Sequence, residues 1–303
     1  MSVGVPAGLP SEETIVALSR RSVAGRRLLV LVQDPALAIA GFALLVLVFL
    51  GLFGNLIWGK DPLAIDVGSS LQAPSSEHPM GTDGIGRDIF ARFNEGARIS
   101  LGVGLAVAIV GAIFGGAIGI VSGLLGGWID AVLMRVMDAI LAFPPLILAM
   151  AVTIGLGAGL RSAAIGITLT SLPYYARLLR SDVLRIRSLP FIEAAHAIGA
   201  RRIRIMGRHI VPHVVSTLLI QSAALFAFTI LTLAALGFVG LGAQVPTPEW
   251  GTMITDGLQY FLTGQWWIGM FPGLGVLIAV TAISVIADRA RDILDPRGRY
   301  ANV

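Results

Sequence analysis

Four histidines, His78, His196, His209 and His213, are the residues best suited by type to bind a metal or move a proton. His209 and His213 stand four apart, the spacing that puts two ring nitrogens on one helix face. Pro212 lies between them and no carboxylate completes a ligand set, so the pair reads as structural. A phosphate-binding loop needs a glycine, four residues, then Gly-Lys and a hydroxyl for magnesium. Gly54, Gly59 and Lys60 fit the first part, but Asp61 occupies the hydroxyl position and the glycines close an apolar run. With no cysteine there is no thiol nucleophile, disulfide or cysteine metal site. Neither G-x-S-x-G nor H-E-x-x-H occurs. The chain therefore reads as non-catalytic, with no cofactor or metal of its own. Any energy source belongs to another chain or to an ion gradient.

The elements that must position these residues are apolar. Of 303 residues, 55% are hydrophobic and only 13% charged, about half the charged share of a soluble domain. Mean hydropathy is +0.84. A water-soluble globule of this size would lack the polar residues to cover its surface, and a disordered chain would be poor in apolar ones. A polytopic membrane protein fits.

Uncharged apolar runs of near-spanning length occur at 35–58, 99–126, 139–160, 162–176, 212–236 and 268–287. A hydrocarbon core of ~30 Å needs roughly 20 such residues in a helix, and the runs are continuous rather than alternating, so helices are favoured over a barrel. The fourth run is short, and its helix is expected to continue as far as Arg180. The first run is too long and lacks the cleavage site of a signal peptide, so it reads as an uncleaved span.

Six spans put both termini on one side. The tail 1–34, the connection at Arg135, the loop 177–211 and the tail from Arg289 hold 17 of the 22 Lys and Arg residues; Lys60, Arg87, Arg92, Arg98 and Arg161 lie on the other face. By the positive-inside rule the termini and the loop 177–211 are cytoplasmic. A net charge of +4 sorted in this way points to membrane lipid as a partner rather than nucleic acid. The expected organisation is a cytoplasmic tail 1–34, a first span with its outer loop at 35–98, a core of five spans at 99–290, and a cytoplasmic tail 291–303. Trp250, Trp266, Trp267 and Tyr260 in the loop 240–267 read as an interfacial aromatic belt.

Gly111, Gly115, Gly119, Gly123 and Gly127 recur every fourth residue, a smooth stripe on one face of the second span. It serves packing inside one bundle or contact with a second subunit; spacing leaves both open. Arg135 and Asp138 are one turn apart and can pair. Thr168, Thr170, Gln221 and Ser222 are polar groups at membrane depth. Thr168 and Gln221 are the candidates for lining a path, with a helix–helix hydrogen bond equally open for Gln221.

The loop 177–211 alternates arginines with apolar residues. Phe191, Ile192, Ala194, Ala195, Ala197 and Ile198 form a short helix of little bulk, Gly199 can take positive φ and end it, and 201–208 continues as a basic helix. Such a helix suits docking into a partner's groove, or lying on anionic lipid; the arginines alone leave both open. Glu193-Ala194-Ala195, three residues, Gly199, and Pro212 thirteen residues later resemble the E-A-A-x-x-x-G signature of bacterial ATP-binding-cassette importer permeases. One departure is His209, with Ile210 beside it, where that family usually has isoleucine.

Residues 78–101, His-Pro-Met-Gly-Thr-Asp-Gly-Ile-Gly-Arg-Asp onward to Arg98, Ser100 and Leu101, are similar to the corresponding stretch of the C-type permeases of dipeptide, oligopeptide and nickel importers, with Met80 replacing the usual leucine. Arg135, Asp138, Phe143, Pro144 and Pro145 also resemble that subgroup. Locally, Asp83, Arg87, Asp88 and Arg92 suit ion pairs on a short helix capped by Thr82 or Asp83, placed before the second span. Those charges fix the helix or meet a protein arriving from outside.

The resemblance implies an all-α membrane protein of the type I ABC importer permease fold, six transmembrane helices with a cytoplasmic coupling helix, in a bacterial inner membrane. It implies a second, B-type permease, two cytosolic ATPases that bind ATP and magnesium, and an extracytoplasmic substrate-binding protein. Phe191, Ile192, Glu193, Ala194, Ala195, Ile198, Gly199, Arg201 and Arg202 would then contact an ATPase. The implied cargo is a dipeptide or oligopeptide, with nickel or glutathione as the alternative. An ion-gradient transporter would more usually carry acidic residues in mid-span or paired broken helices.

Overall fold

In a computed structural model of the chain, the structure describes residues 34–192, 199 and 202–294. Among them the protein is helical, with no strand, and one isolated bridge between Thr82 and Asp88. Asp34 caps the first helix, α1 (Pro35–Trp58), accepting from the amides of Ala36 at 2.9 Å and Leu37 at 3.4 Å. A π-helical turn at Leu50–Gly54 interrupts α1 where Gly51 and Gly54 let it approach the second helix. Gly59, at φ 73°, ends it.

The second helix, α2 (Ile89–Leu125), has 37 residues. At 1.5 Å per residue it is about 55 Å long and must project beyond a ~30 Å core. This corrects the expected short helix before the span: the two are one. Its cap is Asp88, whose Oδ1 accepts from the Ala91 amide at 2.8 Å, not Thr82 or Asp83. Gly126 and Gly127, at φ 64° and 56°, turn the chain into α3 (Gly127–Leu141).

α3 and α4 (Pro145–Leu156) meet at 90°. The expected run 139–160 is therefore an elbow and not a straight span. Pro144 and Pro145 lack amide hydrogens and bias Phe143 away from helix. α5 (Leu160–Arg187) is one 28-residue helix that passes Arg180 by two turns. A turn of helix at Arg202–Ile205 and a π-helical turn at Met206–Ile210 lead into α6 (Val211–Phe238). The loop beyond it contains α7 (Trp250–Phe261), and α8 (Trp267–Leu294) closes the bundle.

α1, α2, α6 and α8 are long and apolar enough to cross a membrane, and the bent pair α3–α4 makes a fifth span if taken together. α5 has the length, but Arg177, Arg180, Arg185 and Arg187 lower its hydropathy.

One core cluster joins α1, α2, α6, α7 and α8 around Phe93, Ile230, Trp250, Ile268 and Ile283. A second lies at the arginine-rich end, where Leu179, Val183 and Ile186 of α5 meet Ile192, Ile205, Ile210 and Val214. Trp250 and Trp267 are 0% and 8% exposed, so they belong to the core and not to an aromatic belt. Their indole N–H groups donate to Phe93 O and Thr82 O, each at 3.2 Å, which lets a polar ring be buried.

Candidate functional site

The arginine-rich end is organised by α5. The glycine stripe of α2 faces it: a Cβ on Gly115 would stand 2.8 Å from Leu172 O and 2.7 Å from Tyr175 Cβ, and one on Gly123 would stand 2.8 Å from Val183 Cβ. Gly111 faces Ser171 and Tyr175, and Gly119 the backbone of Ala176. The two helices thus touch nearly backbone to backbone, which only a smooth stripe permits. Tyr175, 0% exposed, crosses this seam and donates to Ala108 O at 3.1 Å.

Charged groups tie the ends of α2, α3 and α5 together. Arg180 grips Asp130 of α3 with two parallel bonds, Nε to Oδ1 and Nη2 to Oδ2, both 2.6 Å. Ser122 of α2 donates to the same carboxylate. Arg187 Nη1 donates to Gly123 O at 2.6 Å and Leu124 O at 3.2 Å, satisfying carbonyls at the C-terminus of α2. Asp138 pairs with Arg177 of α5 at 2.5 Å. This corrects the expected pair with Arg135: the neighbouring α5 brings a guanidinium to Asp138, and Arg135 lies on an exposed face with Val132 and Val136.

α5 ends at Ser188, and the chain reaches Ile192, which is 1% exposed and anchored in the second cluster. Phe191 is 42% exposed. The apolar side chains expected to act together are therefore divided: Ile192 holds the segment to this bundle and Phe191 faces outward. Gly199 stands at φ 78°, with open space around a Cβ position. Glu193, Ala194, Ala195, Ile198 and Arg201 lie outside the described residues, and Arg202 opens the helical turn beyond. Arg204 and Arg208 are exposed.

The two path candidates lie apart from these groups. Thr168 Oγ1 donates to Ala164 O at 2.7 Å and lines a groove with Arg161, Val110 and Leu172. Gln221 is half-buried on α6. Thr170 and Ser222 also turn their hydroxyls to carbonyls of their own helices.

At the far end the loop 59–88 is a folded cap. Asp83 holds its own turn, accepting from the amides of Ile85 at 3.0 Å and Arg87 at 2.9 Å and from Arg87 Nε at 2.5 Å. Arg87 also lies 3.9 Å from Asp256 of α7, and Arg92 3.8 Å from Asp83. Burial pushes the Asp256 carboxyl up, opposed by Arg92 and Arg87. Asp88 receives His78 Nδ1 at 2.8 Å and lies 3.7 Å from Lys60. These charges fix cap to bundle.

Glu249, 1% exposed, caps α7, accepting from Gly251 N at 2.9 Å, Thr252 N at 3.2 Å and Ser100 Oγ at 3.2 Å. Burial raises its pKa despite those donors. Glu249 and the Asp130–Arg180 pair are not among the site residues expected from the sequence. A Glu before an apolar run is a cap signal for Glu249, but the Asp130–Arg180 pair spans 50 residues and has no local spacing to betray it.

Residues 115–300 match the family described as binding-protein-dependent transport system inner membrane component. The dipeptide transport system permease protein DppC of Alkalihalophilus pseudofirmus is 38% identical over 293 residues, covering 96% of this chain and 95% of the relative. DppC of Escherichia coli K12 is 42% identical over 268 residues, 86% and 89% of the two chains. The probable D,D-dipeptide transport system permease protein DdpC of the same organism is 36% identical over 290 residues, 95% and 97%. A chain of the inward-facing MetNI methionine ABC transporter shares the fold, with a TM-score of 0.52 at 20% identity, over 67% of this chain and 97% of that one.

Proposed function

The chain belongs to the family of binding-protein-dependent transport system inner membrane components, and from that membership we propose that it forms half of the translocation pathway of an ATP-driven importer of dipeptides or oligopeptides. The names of its relatives support that cargo. The other half is a B-type permease. Two cytosolic ATPases bind ATP and magnesium, and an extracytoplasmic binding protein delivers cargo. This chain performs no chemistry. The arginine-rich end, with both termini, faces the cytosol of a bacterial inner membrane.

In this mechanism ATP binding draws the two ATPases together. The segment 191–204 follows them, and α5 carries the displacement into the bundle, so that the cavity between the permeases changes the side it faces. The work is a difference in docking energy between two states. Glu193 fixes the start of the docking helix or accepts bonds from the ATPase. The apolar residues Ala194, Ala195 and Ile198 enter the partner's groove with Phe191, Ile192 anchors the segment from behind, and Gly199 reverses the chain ahead of Arg201 and Arg202.

One observation carries the coupling reading: Gly199 adopts φ 78° with nothing within 4 Å of a Cβ position. A β-branched residue there strains the backbone by about 1–2 kcal/mol without a clash. In the assembled transporter, Gly199→Val should insert normally and keep ATP hydrolysis, yet lose cargo uptake. Gly207→Ala, in the same loop with open space around it and no positive φ, is the control. Uptake at the normal rate in Gly199→Val would overturn the reading.

A further inference from the structure

We propose that Asp130 and Arg180 form a latch that fastens α3 to α5, so that movement received at 191–204 reaches the elbow between α3 and α4. Both are positioning residues, and the proposal rests on the coupling role given above to that segment.

The contrast between two seams points to the latch. α5 meets α2 across glycines at near-backbone distance, so the two shift as one body; a hinge there would have to open a close-packed seam. α4 is held to the first half of α5 by similar packing, with Gly166 placed so that a Cβ would stand 2.8 Å from Ala149 O. α3 is different. Met137 is its one buried residue, and Trp128, Val132 and Val136 are half-exposed or more. Two polar ties run from α3 to α5: the Arg180 fork on Asp130 and the Arg177–Asp138 pair, one near each end of the 15-residue helix. Ser122 adds a third hold on Asp130 from α2.

The geometry makes Asp130–Arg180 the stronger of the two. Its two bonds are parallel and both 2.6 Å. The Asp130 side chain is 18% exposed against 45% for Asp138. A bidentate, charge-assisted pair fixes direction as well as distance, which a single exposed contact does not. Arg180 also stands two turns before the end of α5, on the part of the helix that leads to the docking segment. Pulling on that segment therefore loads the latch directly, while α4 stays seated on the other half of α5. The 90° elbow is where the two attachments must be reconciled.

The test uses the complete transporter in proteoliposomes, with peptide uptake per ATP hydrolysed as the readout. Asp130→Asn and Arg180→Gln should each lower that ratio about tenfold, the scale of one charged hydrogen bond, with ATP hydrolysis within about twofold of wild type. The exchange Asp130→Arg with Arg180→Asp should restore most of it. Arg180→Lys, which keeps the charge and loses the fork, should fall between, and it decides the matter if the neutral variants do not assemble. A wild-type ratio in Asp130→Asn, or in Arg180→Lys where the neutral variants fail, overturns the latch, and so does a loss that the exchange leaves unrepaired. Gly199→Val in the same vesicles separates the two ideas: if it alone uncouples, the latch fails and the docking segment stands; if it too is coupled, the reading of that segment fails.

Discussion

Adding one methyl group to the seam between α2 and α5 measures how far the bundle depends on it. At Gly115 a Cβ would stand 2.8 Å from the Leu172 carbonyl oxygen and 2.7 Å from Tyr175 Cβ. Ordinary contact begins near 3.4 Å, so the seam must open by roughly 0.6 Å, and no rotamer change can move a backbone carbonyl aside. Overpacking of this kind costs about 1–3 kcal/mol. Alanine also gains ~1 kcal/mol over glycine in helix propensity. Gly102→Ala supplies the control: it lies on the same helix with nothing within 4 Å. The propensity gain is common to both variants, so their difference isolates the seam at about 1–3 kcal/mol. For a chain of a few hundred residues that is about 2–3 °C per kcal/mol in melting temperature. Thermal unfolding of the solubilised chain, followed by intrinsic tryptophan fluorescence, to which the buried Trp250 and Trp267 contribute, reads it. If Gly115→Ala melts at or above Gly102→Ala, the account of the stripe as a packing seam is refuted.

Glu249 binds its proton more tightly when folded than when unfolded, because burial raises its pKa above the ordinary 4.5. Its ionisation therefore subtracts stability as pH rises through 4.5 toward the folded value. The melting temperature of wild type minus that of Glu249→Gln should fall across that window, and a rise would contradict the burial argument. Asp88 joins a helix cap to a His78–Lys60 contact. Asp88→Ala should destabilise the chain by about 1–2 kcal/mol, and Asp88→Asn, which keeps the cap acceptor, by less; equal losses would mean that the cap contributes nothing.

The apolar runs announced α1, α2, α6 and α8 because length and hydropathy are properties of one segment. The glycine stripe was equally legible, since four-residue spacing is a local statement about one face. Its partner was not: nothing in the spacing names Tyr175 and Ala176 as the surface it meets. The elbow was written in Pro144 and Pro145, but a run judged by apolarity alone passes over them. Arg135 looked like the partner of Asp138 because it is near in sequence, and Arg177 wins because α5 packs alongside α3. The same limit hid Asp130–Arg180. Trp250 and Trp267 looked interfacial until Phe93 and Thr82 supplied carbonyls for their N–H groups. In the segment 191–204, local pattern marked Gly199 as a turn but did not distinguish Ile192, which is buried, from Phe191, which is more exposed.

The natural chain has no cysteine, so a single thiol placed at Ala195 reports on one position alone. In the assembled transporter turning over ATP, a short bifunctional reagent should join that thiol to one engineered into the groove of a cytosolic ATPase, and the yield should change between nucleotide states. Labelling by lipid-soluble probes in every state, with no adduct to the ATPase, would contradict the claim that 191–204 takes up the motor's movement.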